Sequence, residues 1–335
     1  MTSLGKLTVP HTHLLSTKGG FKISVYLQEL GCYMGQLDVF DQASATLEKL
    51  TGILLSDKQI ERLCHYYGQQ QEAVAPFEGL VAQDESLHYA MADGAMLLTR
   101  EKDQEGVSKW AEIKLGRVFR ADSHLSTGQS AQSRHWIKES QYVAHLGDCD
   151  AFFDRLMPLL DPLKKLIFVA DGASWIWQRV ENYYPDAVQI LDYYHAVEHL
   201  WTFLACCDER FAAPEDKKRW AEEQKNLLLE NHLQQVMDNI AQLNLKNSKA
   251  REEQRKLLTY YSNNQSRMCY GDYLSKGWLI GSGPIESAHR EVIQKRMKRS
   301  GQRWTLQGAQ QLANLRVAYK SNQWQQIIDS IKQCA

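Results

Sequence analysis

Apolar residues change their period twice along the chain. Between Phe21 and Glu78 they recur at helical spacing, as in Phe40, Ala43, Leu47 and Leu50. Thr51-Gly52 interrupts that run. Ser56, with Gln59 three positions on, then has the form of a capping box for a second helix carrying Ile60, Leu63 and Tyr67. Two short helices about a Gly-containing turn suit a helix-turn-helix DNA reader, or a packing or dimer contact. From Leu87 the period shortens. Leu87, Tyr89 and Met91 alternate as in a strand, expected to end at an Asp93-Gly94 turn. Trp110, Ile113, Leu115 and Val118 predict a second strand, and Gln141 to Leu146 a third. Phe152, Phe153, Leu156, Leu159 and Leu160 give Cys149 to Leu160 the spacing of a helix. The unbroken run Leu166 to Ala170 fits a strand buried on both faces and stops at Asp171-Gly172. A helix from Ser174 to Tyr183 and a short strand from Val188 to Leu191, ending at Asp192, complete this zone. Polar helices follow from Phe203 to Gln265, with Leu227, Leu228, Leu229, Leu233, Val236, Ile240 and Leu243 as their apolar stripe. No residue there suggests chemistry. Gly281-Ser282-Gly283-Pro284 is a loop whose proline suits the first residue of a helix carrying Glu286.

Antiparallel-style strands followed by strands alternating with helices predict a mixed α/β fold, a mixed sheet flanked by helices. The divisions expected are an all-helical region over 1–82, a sheet-bearing region over 83–202, a helical stretch over 203–275 and a C-terminal helical region over 276–335. A chain of 335 residues can bury a core of useful size. It has no apolar run of membrane-spanning length, and Met1 to Lys18 lacks the apolar core of a signal peptide. A soluble cytoplasmic protein with no membrane partner is therefore expected. Seven cysteines, an odd number without a Cys-x-x-Cys pair, argue against a disulfide framework or a structural zinc site.

The net charge of −1 points to no partner, but its distribution does. Between His289 and Lys320 stand Arg290, Lys295, Arg296, Lys298, Arg299, Arg303, Arg316 and Lys320, against the single acid Glu291. Such a local excess is either a solvated helix face or a footprint for phosphates. Asp93 and Asp171 each end an apolar strand. Carboxylates at the carboxyl ends of neighbouring strands converge in an open sheet, and Glu286 can close a triangle with them. Three such groups repel one another and call for a cation. Mg2+, with Mn2+ able to substitute, suits hard oxygen ligands and keeps room for phosphate oxygens. Two such ions about 4 Å apart serve an in-line displacement at phosphorus.

The segments Ala170 to Trp177, Leu191 to Leu200 and Gly281 to Ser287, then Arg296 to Trp304 with Gly308-Ala309, occur in this order. Together they resemble the DDE transposases of bacterial insertion sequences, closest to the Kra family, over about residues 35 to 325. The resemblance implies an RNase H-like catalytic core interrupted by a helical insertion over 203–275. It implies a transposase cutting and rejoining DNA at element ends and target, acting as a homo-oligomer, expected to be a dimer, at the nucleoid. Asp93, Asp171 and Glu286 fall on its catalytic and metal-binding positions. Asp192 and His195 fall on an Asp-x-x-His signature, which implies an auxiliary place beside the acids; the other reading is a core histidine satisfied by Asp192. Arg290, Lys295, Arg296, Lys298, Arg299 and Arg303 are expected to contact phosphates. Trp175 and Trp304 are either base-stacking or buried residues.

Two other readings stand beside this one. A truncated or domesticated derivative would bind DNA without cutting it; relatives of this type commonly carry a longer amino-terminal part, so end recognition would otherwise rest on the helical pair. More remotely, His195-Ala196-Val197-Glu198-His199 has the His-x-x-Glu-His spacing of inverted zinc peptidases. No phosphate-binding Gly-x-x-x-x-Gly-Lys loop is present, so nucleotide hydrolysis is not expected.

Overall fold

The computed structural model describes residues 21, 23–71, 85–126, 135–207 and 210–333. Three helices come first: α1 (Val25–Leu37), α2 (Phe40–Thr51) and α3 (Asp57–Gln70). The sheet region holds β1 (Leu87–Lys102), β2 (Ser108–Arg120), the short pair β3 (His124–Ser126) and β4 (His135–Ile137), and β5 (Gln141–Leu146). It continues through α4 (Cys149–Leu160), β6 (Lys165–Ala170), α5 (Ser174–Tyr183), β7 (Val188–Leu191) and α6 (Tyr193–Leu204). Then come α7 (Pro214–Leu229), α8 (Leu233–Ala241), α9 (Ser248–Asn264) and α10 (Tyr270–Ser275). The last part contains α11 (Gly283–Ala288), a π-helical segment (His289–Gln294), α12 (Lys295–Met297), α13 (Leu306–Lys320) and α14 (Trp324–Gln333). The fold is mixed α/β. A five-stranded sheet runs β5-β2-β1-β6-β7, with β6 parallel to β1 and to β7, and β5 antiparallel to β2.

The chain forms two compact units, both discontinuous: residues 1–84, 94–163 and 286–335 make one, and 85–93 with 164–285 the other. In the first, Ser56 caps α3 by accepting from the Gln59 N–H, and Gly52 ends α2 at φ 70°, where a side chain would be strained. The buried face of α3 carries Ile60, Leu63, Cys64, Tyr67 and Gly68. Gly68 lies so close to α13 that a Cβ there would sit 2.1 Å from the Gln311 carbonyl oxygen. Asn314 donates to the Gly68 carbonyl at 3.0 Å. Gln310 binds the edge of β5 from both sides, donating to the Ala144 carbonyl and accepting from the Leu146 N–H. Thus α13 is a buried central helix, polar where it must satisfy backbone groups. The expected stripe is narrower than its spacing implies: Leu50 is 74% exposed, while Ala43 and Leu47 are buried.

Strand β1 corrects one expectation. It does not end at Asp93-Gly94 but continues to Lys102, turning at Asp103 to Val107, where Gly106 has φ 80° and the Asp103 N–H donates to the Val107 carbonyl. Gly94 meets a space requirement: a Cβ there would lie 2.2 Å from Glu112 Oε1. The β3–β4 pair was not foreshadowed by any apolar run.

In the second unit the parallel strands carry a dry core of Ile167, Phe168, Val169 and Ile190. Trp177 of α5 packs edge-on to Phe168, and the Arg267 guanidinium lies 4.5 Å from the centre of the Trp177 ring. Arg267 also donates to Gln189 and pairs with Glu181, so this buried cation is satisfied on several sides. Tyr261 of α9 donates to the Ala196 carbonyl at 3.0 Å, fixing α9 against α6.

Candidate active site

Parallel pairing runs along β1 and β6 as far as Met91 with Val169, and along β6 and β7 as far as Ala170 with Leu191. Asp93 follows Met91 by two residues inside β1, which runs on to Lys102. Asp171 and Asp192 each follow the last residue of their strand, β6 and β7.

The three acids are used differently. Asp192 is 1% exposed. Its Oδ1 accepts from the Tyr194 N–H at 2.7 Å and the His195 N–H at 3.4 Å, capping α6. Its Oδ2 accepts from the Ser282 N–H at 3.2 Å and from the Ser282 hydroxyl. Asp192 thereby ties the helix start to the Gly281-Ser282-Gly283-Pro284 loop, some ninety positions on. The Tyr193 N–H donates to the Ile280 carbonyl, and the Leu279 N–H to the Tyr89 hydroxyl of β1. Gly281 lets the Tyr194 ring close over the loop, since a Cβ would stand 2.6 Å from it. Asp171 keeps more of its carboxylate for other use: Oδ1 accepts from the Ala173 N–H at 2.9 Å, and its backbone carbonyl accepts from the Trp177 indole. Asp93 is half-buried.

Above Asp171 lies Tyr260, a residue of α9 that no motif signalled. Gly172 admits its ring, because a Cβ would fall 2.2 Å from Tyr260 Cε2. Burial, followed by the negative charges of Asp171 and Asp192, raises the Tyr260 phenol well above its ordinary range, so it stays protonated. Its hydroxyl is buried and has no hydrogen-bond partner among the described residues. His199 stacks on this ring at 4.1 Å between centroids. Burial and the neighbouring His195 hold the His199 imidazole below its usual pKa, against the opposing pull of Glu198, Asp171 and Glu253.

His195 is not a core histidine satisfied by the Asp192 side chain. Asp192 Oδ1 takes its backbone N–H, while the ring is 41% exposed with Nδ1 3.3 Å from Glu198 Oε2. A zinc peptidase set is not assembled either. The His195 and His199 rings are 5.8 Å apart, and no third ligand joins them among the described residues. There, the group of three whose ligand atoms lie mutually within 4.8 Å is Asp148, Cys149 and Asp150. Asp148 caps α4 through the Asp150 and Ala151 N–H groups, so that group is a helix start.

Glu286 is exposed in the first turn of α11 and belongs to the first unit. The basic run divides. Arg290, Lys298 and Arg303 are exposed; Lys295 pairs with Glu291, and Arg299 with Asp38. Arg296 departs from the expected phosphate contact on an open helix face, because it is 1% exposed. Its Nε donates to the Gly35 carbonyl, and its guanidinium lies against the rings of Phe40 and Trp304. Burial lowers its pKa to about 10. Arg316, counted in the same basic excess, is also buried and spends its guanidinium on the Val292, Gln36 and Glu291 carbonyls. Trp304 is a buried tryptophan, its indole donating to the Met297 carbonyl. Among the described residues no helix is long and apolar enough to cross a membrane.

Among curated proteins none matches this chain. The structure is similar to that of the Drosophila P element transposase strand transfer complex, with 10% sequence identity, a TM-score of 0.43, and coverage of 92% of this chain and 95% of that one. A family model matches residues 39–330, a span that takes in α2 and α3, the three aspartates, the Asp192–Ser282 clamp and the buried central helix. The chain therefore belongs to the family described as Uncharacterised protein family (UPF0236).

Proposed function

We propose that the protein is a DNA transposase whose Asp93, Asp171 and Glu286 hold divalent cations for DNA strand cleavage and strand transfer. The observation that supports this is the parallel register of β1 with β6, which pairs Met91 with Val169, each two residues before Asp93 and Asp171. The resemblance to DDE transposases of insertion sequences implies the same two residues, and a mixed sheet flanked by helices is the fold it calls for. Glu286 is included on the same resemblance, which implies it as the third acid.

The donor set fits Mg2+ or Mn2+: carboxylates alone, with Asp171 offering more than its one backbone hydrogen bond consumes. When bound, such ions lower the pKa of an attacking water and stabilise the leaving oxygen. The chain's own residues do the rest. The Asp192–Ser282 clamp fixes the loop that leads to Glu286. Tyr260, protonated and without a partner, roofs Asp171 and limits water there. His199, held neutral by its surroundings, can accept a hydrogen bond from a nucleophile or sugar hydroxyl. Arg290, Lys295, Lys298, Arg299 and Arg303 supply the charge for the DNA backbone. Asp93, Asp171 and Glu286 would be the residues that hold the ions.

The test is cleavage of labelled duplex from the flanks of the coding region, with Mg2+, comparing wild type with Asp171→Asn. The proposal expects a loss of at least a hundredfold. Equal cleavage by both proteins would remove the catalytic assignment, and duplex binding without cleavage by either would favour a non-catalytic derivative.

A further inference from the structure

The first unit contains a cavity that the strand-end acids do not reach or explain. Its volume is about 500 Å³, within the range of small-molecule sites. One wall is the segment Gly301 to Thr305, pinned beside β1: the Trp304 N–H donates to the Leu98 carbonyl, and the Arg100 N–H to the Trp304 carbonyl. The Arg100 Nε also donates to the Arg303 carbonyl, which holds both arginines at the rim. The other wall is the start of α2 with Phe40, and the face of α3 with Lys58, Glu61 and His65.

Arg296 lies at the floor. Phe40 and Trp304, the two rings that flank its guanidinium, line the cavity with it. Both its Nη atoms are buried and have no hydrogen-bond partner among the described residues. A second buried donor-acceptor atom, His65 Nε2, is likewise unpartnered. A buried cation with unused donors is costly unless something pairs with it. The walls carry two acids against four cations: Glu61 is engaged by Lys58 at 2.7 Å, and Asp57 accepts from the Lys58 backbone N–H, so Arg100, Arg296 and Arg303 outnumber the remaining carboxylate. Three guanidinium groups around one space suit the tetrahedral oxygens of a phosphate, which accept from several planar forks at once. The volume leaves room for more than the phosphate, and the aromatic wall offers apolar contact for it.

We propose that this cavity binds a phosphate ester of nucleotide size, with Arg296 at its floor and Arg100 and Arg303 at its mouth. The phosphate belongs either to a free mononucleotide or to the 5′ end of a DNA strand. The site rests on no assumption about metal ions or strand cleavage, so it stands or falls apart from the transposase reading.

The test is isothermal titration of the full-length protein with thymidine 5′-monophosphate and with thymidine. In parallel, fluorescence anisotropy would compare a short oligonucleotide carrying a 5′-phosphate with its 5′-hydroxyl counterpart. The proposal expects the phosphorylated member of at least one pair to bind at least tenfold more tightly. Preference within the nucleoside pair identifies a free nucleotide, and preference within the oligonucleotide pair alone identifies a strand end. The rim variants Arg100→Ala and Arg303→Ala, both at exposed positions that leave the core intact, should each weaken that binding at least fivefold. Arg296→Met should abolish it while the protein stays folded by circular dichroism. Equal affinity for phosphorylated and unphosphorylated ligands, no binding at 1 mM, or binding unchanged in both rim variants overturns the proposal.

Discussion

Replacing Ser282 by alanine isolates the clamp on which the candidate active site depends. The Ser282 hydroxyl donates to Asp192 Oδ2, an atom that also accepts from the Ser282 N–H at 3.2 Å. Asp192 is 1% and Ser282 7% exposed, so water does not readily replace the lost donor. A hydrogen bond to a buried carboxyl group is worth about 1.5–3 kcal/mol. For a unit of this size each kcal/mol moves the melting temperature by about 2–4 °C, so Ser282→Ala should lower it by about 3–12 °C. Differential scanning calorimetry reads the shift, with Ser287→Ala, exposed in the same helix start, as the control. The cleavage rate should fall as well, below the temperature at which the variant begins to melt, because the loop leading to Glu286 loses its anchor. A Tm within 1 °C of wild type, with cleavage undiminished, would show that the clamp neither stabilises the unit nor positions the loop.

Other consequences follow from single residues. Gly68→Ala should destabilise the first unit by about 1–3 kcal/mol, since the new Cβ meets a backbone carbonyl that cannot swing away; urea denaturation checks it, and a loss under 0.5 kcal/mol contradicts the α3–α13 packing. Tyr260→Phe removes a buried hydroxyl that has no partner, so stability should hold or rise by up to about 1 kcal/mol, and a loss beyond that in the same denaturation would reveal a partner. Burial, with Arg100 and Lys58 adding to it and Glu61 opposing, lowers the His65 pKa on folding. The unfolded chain therefore binds the proton more readily, and this residue costs stability as pH falls below about 6.5 and none above it. His65→Leu should flatten the stability profile below that pH in denaturant midpoints taken from pH 7.5 to 5.5, and an unchanged slope would refute the assignment.

Much of the fold could be read from the chain because its elements are bounded by chemistry as well as by period. The helix α4 starts where Asp148 accepts from two backbone N–H groups, and β7 stops where Asp192 begins to cap α6. At Asp93-Gly94 the same logic misled. A glycine inside a strand, facing the Glu112 side chain across the sheet, has the same one-letter signature as a glycine in a turn. The basic run misled in a related way. Counting charges cannot tell Arg303, open to solvent, from Arg296, enclosed by Phe40 and Trp304, because those rings arrive from distant or folded-back segments. Tyr260 carried no signal at all. Its place above Asp171 depends on Gly172 making room for it from a helix some ninety residues further on, and neither residue is unusual in its own neighbourhood.

The central claim is that Asp93 and Asp171 share a divalent cation, and crystals soaked in Mn2+ test it most directly through the anomalous signal. The account predicts manganese bound by a carboxylate oxygen from each of these two aspartates, at about 2.1 Å, the spacing of a hard octahedral cation. Manganese found only at the exposed Asp148–Asp150 helix start, or nowhere on the protein, would contradict it.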